Sequence, residues 1–139
     1  MKGEYTMKEL RVIIAGKRDF NNFGRLCRFC DNILAAHKEF FDVITIISGN
    51  ALGTDRMGEE YAKLRGYNLM VFPAEWFKYG RRSGIIRNAQ MADYATSNGA
   101  EGILIAFWNG LSKGTGNMIK QAQNKHMDVF IDMITEEEK

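Results

Sequence analysis

Four shortages bound what this chain is. It has almost no excess charge: 19 basic and 17 acidic side chains leave a net charge of +2, too little for a nucleic-acid binder of the electrostatic kind. It has no apolar run near the length of about 18 residues that spans a bilayer, and its start, MKGEYTMKEL, lacks the apolar core of a signal peptide, so a cytoplasmic protein is expected. It has two cysteines only, Cys27 and Cys30. They fall inside the helical pattern FGRLCRFCDNILAAH rather than at a strand-to-helix turn, and no second pair exists to complete a zinc site, so neither metal nor redox chemistry is expected of them. The single proline, Pro73, closes an extended run. What the chain does have is 45% apolar residues over 139 positions, enough to enclose one core and hardly two. One domain is expected over residues 1–139, its core between about 10 and 134, with a short polar leader and an acidic tail.

Strand-length apolar runs alternate with helical patterns. ELRVIIAG, ending at Gly16, reads as a strand, and residues 22–37 place Phe23, Leu26, Phe29, Cys30, Ile33 and Leu34 at helical spacing. DVITIISG follows as a second strand, then a helix marked by Met57, Tyr61 and Leu64 that Gly66 terminates. NLMVFPA, GILIAFW and DVFIDMI complete the strands, and IIRNAQMADYA and GTGNMIKQAQNKH the helices, with EWFKYGRRSG read as a long loop. His37 and His126 come at helix ends, where an imidazole complements terminal carbonyls. Strands apolar throughout are covered on both faces. The expected class is therefore α/β: a single Rossmann-like three-layer domain with a mainly parallel sheet of about five strands and helices on both faces. In such sheets ligands bind beyond the carboxyl ends of the strands.

Two strand exits repeat one order of letters. ALGTDRM and SKGTGNM share Gly-Thr-x-x-Met, through Gly53 and Thr54 in the first and Gly114 and Thr115 in the second. A glycine there lets a ligand approach the backbone, the threonine hydroxyl can cap the helix, and the next amides have no intrahelical partner, which together make an anion site. Two such loops are expected to hold two phosphates, or a phosphate and a ribose. P-loop and dinucleotide fingerprints are absent, which disfavours a conventional NTPase or NAD dehydrogenase. Between the loops, Trp76 and Tyr79 offer flat faces for a base, and Lys78, Arg81, Arg82 and Arg87 offer charge to phosphates. Asp55 and Asp19 are ambiguous: a carboxylate repels phosphate, so Asp55 is expected to cap its helix or to accept from ribose hydroxyls.

In this order, the blocks AGKRDF, ISGNALGTD, FPAEWFKYGRRSGIIRNAQM and AFWNGLSKGTGNMI resemble the SLOG superfamily, the Rossmannoid group of the DprA/SMF and LOG proteins, and most closely its YspA-type, cpYpsA-related branch. The resemblance implies a nucleotide or nucleotide derivative bound by Gly16, Arg18 and Asp19 of the first block, and by Ser48, Gly49, Asn50, Gly53, Thr54 and Asp55 of the second. Trp76, Arg87 and Asn88 follow from the third, and Gly114, Thr115 and Gly116 from the last. Asn50 departs from the branch, which usually has a glycine there, although asparagine tolerates a left-handed backbone. Met118 departs more seriously, standing where the LOG enzymes that cleave nucleoside monophosphates carry glutamate. Glycosidic cleavage needs a carboxylate, so Glu75, Asp55 or Asp19 would have to replace it.

The leading expectation is a binding protein for a nucleotide-derived signal, of the ADP-ribose or cyclic oligonucleotide type, acting as a sensor or as a phage-type sequestering protein. The alternatives are a LOG-like nucleotide N-glycosidase or phosphohydrolase, and a DprA-like single-stranded DNA binder. No cofactor is required, although a magnesium ion is compatible with a phosphate ligand. The expected partners are the small molecule and further copies of the chain, in a dimer or higher assembly, with neither membrane nor nucleic acid.

Overall fold

The computed structural model describes residues 6–135, so the acidic tail and the first five residues of the leader lie outside the described residues. Five strands form one parallel sheet in the order β3-β2-β1-β4-β5. They are β1 Glu9–Gly16, β2 Val43–Ser48, β3 Asn68–Val71, β4 Glu101–Trp108 and β5 Asp128–Met133, and the helices are α1 Phe23–Ala35, α2 Thr54–Arg65, α3 Trp76–Tyr79, α4 Ser83–Ala95 and α5 Lys113–Asn124. The order of winding reverses between β1 and β4, the switch point where a parallel sheet opens a crevice at its carboxyl edge.

Alternation along the central strands distributes side chains to two cores. Val12, Ile14, Ile46, Ile103, Ile105 and Phe107 point to the face covered by α1 and α2, while Ile13, Ala15, Ile47, Leu104 and Ala106 meet α4 and α5 on the other. Covering both faces of β1 and β4 makes residues 12–15 and 103–107 apolar on both sides of the sheet, as expected, although β1 also carries Glu9 and the buried Arg11; the edge strands β3 and β5 are part-exposed. Asn22 caps α1 through its side chain, accepting from the Arg25 amide at 3.0 Å. The helix buries Leu26, Cys27, Cys30 and Leu34, and each such leucine stabilises the fold by about 1.5–3 kcal/mol. Both thiols are free, and burial raises their pKa above the ordinary cysteine value. Arg25 reaches from α1 to grip Asp132 of β5 with two bonds of 2.8 Å. His37 Nδ1 lies 2.8 Å from the Ile33 carbonyl at the end of α1.

Two local expectations fail. EWFKYGRRSG is not a loop: Trp76–Tyr79 form a helical turn, a 3-10 turn follows over Gly80–Arg82, and the Ser83 hydroxyl donates to the Gly80 and Glu75 carbonyls to close them onto α4. Leu64, at helical spacing from Met57 and Tyr61, is not part of the buried face of α2, which includes Met57, Gly58, Tyr61 and Ala62; it stands in solvent at the last turn of the helix.

Gly53 and Gly66 bracket α2, both at positive φ (78° and 74°). An added Cβ at Gly53 would lie 2.1 Å from the Arg18 carbonyl oxygen, whereas at Gly66 it would meet nothing within 4 Å. Gly53→Ala is therefore expected to cost at least about 3 kcal/mol, strain and overpacking together, and Gly66→Ala only about 1 kcal/mol. Urea unfolding of the two variants measures the difference, and equal losses would contradict it.

Candidate functional site

The exits of the three central strands converge on one small region. The Lys17 amide donates to the Phe107 carbonyl at 3.1 Å, joining the ends of β1 and β4, and the Lys17 carbonyl receives both the amide and the hydroxyl of Thr54, at 3.2 and 2.9 Å. That arrangement uses Thr54 completely: it is fully buried and its hydroxyl caps nothing. Gly16 and Gly53 are glycines for the same reason, since a Cβ at Gly16 would collide with the Phe107 carbonyl and the Thr54 hydroxyl.

The two Gly-Thr loops, expected to be equivalent, are not. Gly53 is the residue before α2, with Thr54 its first helical residue. In the second loop the helix starts earlier, after Ser112, because Asn109 Oδ1 accepts from the Leu111 and Ser112 amides and Trp108 Nε1 donates to the Ser112 carbonyl. Gly114 and Thr115 therefore lie inside the first turn. Gly116 serves packing, a Cβ there reaching 3.3 Å from the Trp108 ring. The amides of Lys113, Gly114 and Thr115 precede the first intrahelical donor, Gly116, and point out of the helix start.

Beyond these exits lies a cleft of about 670 Å³. Gly16, Lys17, Arg18 and Asp19 form its floor, joined by Ala51 from the loop after β2 and Asp55 from the first turn of α2. One wall is Trp76 of α3 with Arg81, Gly84, Ile85, Arg87, Asn88 and Met91; the other is the start of α5 from Ser112 to Met118. Among the expected ligand residues, Gly16, Arg18, Asp19, Asp55, Trp76, Arg87, Asn88, Gly114 and Thr115 line this space, while Ser48, Gly49, Asn50, Gly53, Thr54 and Gly116 stand behind it. Lys17, Lys113, Asn117 and Ile85 line it without having been foreseen. Lys113 directly precedes the glycines of the second loop, and that adjacency was the available signal. Met118 borders the cleft with 1% of its surface exposed.

The residues behind the cleft orient those in it. Gly49 is where Arg87 and Asp55 meet: an added Cβ would lie 2.6 Å from Arg87 Nη1 and 2.9 Å from Asp55 Oδ2. Arg87 donates through Nη1 to the Gly49 carbonyl and through Nε to Asn88 Oδ1, which leaves Nη2 without a hydrogen bond among the described residues. Asn88 in turn donates to the Gly114 carbonyl and to Asn117 Oδ1, at 3.2 and 3.0 Å, tying α4 to the start of α5. Its side chain is thus spent on positioning both walls. Asn50, at φ 64°, and Ser48 both donate to Glu59 Oε2, at 2.8 and 2.7 Å.

Asp55 does not cap α2; its Oδ2 accepts from the Ala51 amide at 3.1 Å and braces the loop. Burial pushes its carboxyl up to about 6, with Glu59 adding to the rise and the Ala51 amide, Arg87 and Arg18 opposing it. Burial also lowers Arg87 below the usual guanidinium value, against the attraction of Asp55. Of the charged residues lining the cleft, five are basic (Lys17, Arg18, Arg81, Arg87, Lys113) and two acidic (Asp19, Asp55), so a nearly neutral chain concentrates positive potential here. Lys17 and Asp19 pair at 3.4 Å.

A model described as the YspA, cpYpsA-related SLOG family matches residues 10–79, just over half of the sequence. The chain belongs to that family. Neither a curated protein nor a solved structure matches it. The span matched in this SLOG protein holds the cleft floor and Trp76, while Arg87 and the α5 wall lie beyond it. No helix among the described residues is long and apolar enough to cross a membrane.

A carboxyl whose pKa is raised in the folded state stabilises the fold most where it is protonated in both states; that contribution is lost as pH rises from about 4 through about 6. Asp55→Asn, whose amide oxygen can still accept from Ala51, is expected to be more stable than the parent by on the order of 2–3 kcal/mol at pH 8, with the gain shrinking towards pH 4. Urea midpoints of both proteins at pH 8 and pH 4.5 test this, and a gain independent of pH would refute it.

Proposed function

We propose that this SLOG protein binds a nucleotide or nucleotide-derived signal in the cleft, as a sensor or a sequestering protein. The observation that carries the reading is the convergence on Arg87. It is held from two sides, with one nitrogen left over, opposite the unpaired amides of Lys113, Gly114 and Thr115 and beside Lys113 itself. A guanidinium and a helix start facing one space suit an anionic oxygen group. Trp76, 53% exposed, and Ile85, also 53% exposed, supply an apolar shelf for a base on the same wall. The cleft volume is in the range of small-molecule sites.

Binding is favoured over hydrolysis by Met118, an apolar side chain lining the cleft where the resemblance to the LOG enzymes would put a glutamate. Asp55 is a cleft carboxyl with the raised pKa of an acid catalyst, and it keeps a nucleotide N-glycosidase or phosphohydrolase as the second reading. A DNA-binding role is disfavoured by the near-zero net charge. Assembly into a dimer or higher oligomer is a further proposal, supported by the exposure of Trp76, Phe77 and Leu111. A magnesium ion would be compatible with the ligand's phosphates beside Asp19.

Mass spectrometry of small molecules released from the purified protein is expected to give a nucleotide-like mass, absent from Arg87→Met. Arg87→Lys, which keeps charge but loses the fork that grips Gly49 and Asn88, is expected to weaken nucleotide binding at least tenfold in calorimetry. Undiminished binding by both variants would remove Arg87 from the site. Release of free base or phosphate on incubation with nucleotides would transfer the case to hydrolysis.

A further inference from the structure

A buried carboxylate in a basic cleft works against an anion. Asp55 is 6% exposed and borders the cleft from the start of α2. Its Oδ2 is committed to the Ala51 amide, and the same edge sits beside Arg87 Nη1 at Gly49. The charged groups around it come from every side. Arg87 approaches from α4, Arg18 from the exit of β1 with the Lys17–Asp19 pair behind it, and Glu59 from one turn along α2, held by Ser48 and Asn50; Lys113 lies across the cleft on α5. Asp55 offsets part of the positive potential that Arg87 brings to the cleft, and the carboxylate's remaining lone pairs can only accept hydrogen bonds.

Resting on the nucleotide reading of this cleft, we infer that Asp55 determines specificity: it accepts a ribose hydroxyl and turns away a terminal phosphate, so that the ligand is a nucleotide whose phosphates are esterified on both sides. A terminal phosphate carries about 1.5 to 2 negative charges at neutral pH. A phosphodiester or an internal pyrophosphate carries one per phosphorus, which Arg87 and the first turn of α5 balance without burying a surplus charge against Asp55. A free hydroxyl on the adjoining sugar supplies the donor that the carboxylate needs, and a buried acceptor left without one penalises ligands that lack it. Discrimination of this kind works through the rejected ligand as much as through the accepted one. The acid also makes the selection dependent on pH, since a protonated Asp55 no longer repels.

Calorimetry with three probes at pH 8 tests this: AMP, adenosine 5′-(methyl phosphate), which differs from AMP only in having its phosphate blocked, and ADP-ribose. The wild-type protein is expected to bind the blocked nucleotide at least tenfold more tightly than AMP, and ADP-ribose more tightly than either. In Asp55→Asn the preference for the blocked nucleotide is expected to fall below about threefold, chiefly because AMP binds better. A wild-type protein that holds AMP as tightly as its methyl ester overturns the inference and leaves the nucleotide reading intact, as does a preference that Asp55→Asn does not move. Failure of both proteins to bind any probe at millimolar concentration overturns the nucleotide reading and this inference with it.

Discussion

The cleft depends on one carbonyl. The Lys17 oxygen receives the Thr54 amide and hydroxyl, while the Lys17 amide is bonded to Phe107, so the ends of β1 and β4 and the start of α2 are held at one point. Such a junction is buried and must satisfy its own polar groups, which is why it carries a threonine with no exposed surface and glycines where any side chain would collide. From that point the loop 49–53 runs behind the cleft except at Ala51, with Asp55 at the floor and the Gly49 carbonyl bonded to Arg87. Removing the clasp would release the floor from the walls.

Around the junction, side chains fall into those that hold and those that face the cleft. Asn88 and Glu59 spend their hydrogen bonds inward, on Gly114 and Asn117 in one case and on Ser48 and Asn50 in the other. Arg87 does both, anchored at two nitrogens with a third left over. Fixing the guanidinium in this way costs the ligand little ordering entropy, because the side chain is already restrained before anything binds. The local excess of basic over acidic groups arises from folding alone, since residues from four separate segments supply it to a chain that is almost neutral overall.

Much of the architecture was legible beforehand. Apolar runs without alternation gave β1 and β4, helical spacing gave α1, and Gly66 ended α2 in the left-handed conformation that only a residue without a Cβ adopts freely. The short helix at Trp76 was not legible, because a single turn has no periodicity to detect and is closed by Ser83 from the next helix. The repeated Gly-Thr misled for a related reason. Letters at equal spacing imply equal geometry only if the helices begin at the same letter, and Asn109 with Trp108 started α5 two residues earlier than the motif required.

By itself the sequence determined the class of fold, the parallel sense of its strands, and the edge of the sheet at which the distinctive residues collect, because periodicity and burial on both faces are properties of each segment taken alone. Only the tertiary structure decided which of those residues open on the cleft. Thr54 and Thr115, Gly53 and Gly114 are the same letters in the same order. Yet Thr54 and Gly53 are packed behind the cleft and Gly114 and Thr115 line it, since what a side chain touches is settled by the segments that pack against it and not by its neighbours along the chain.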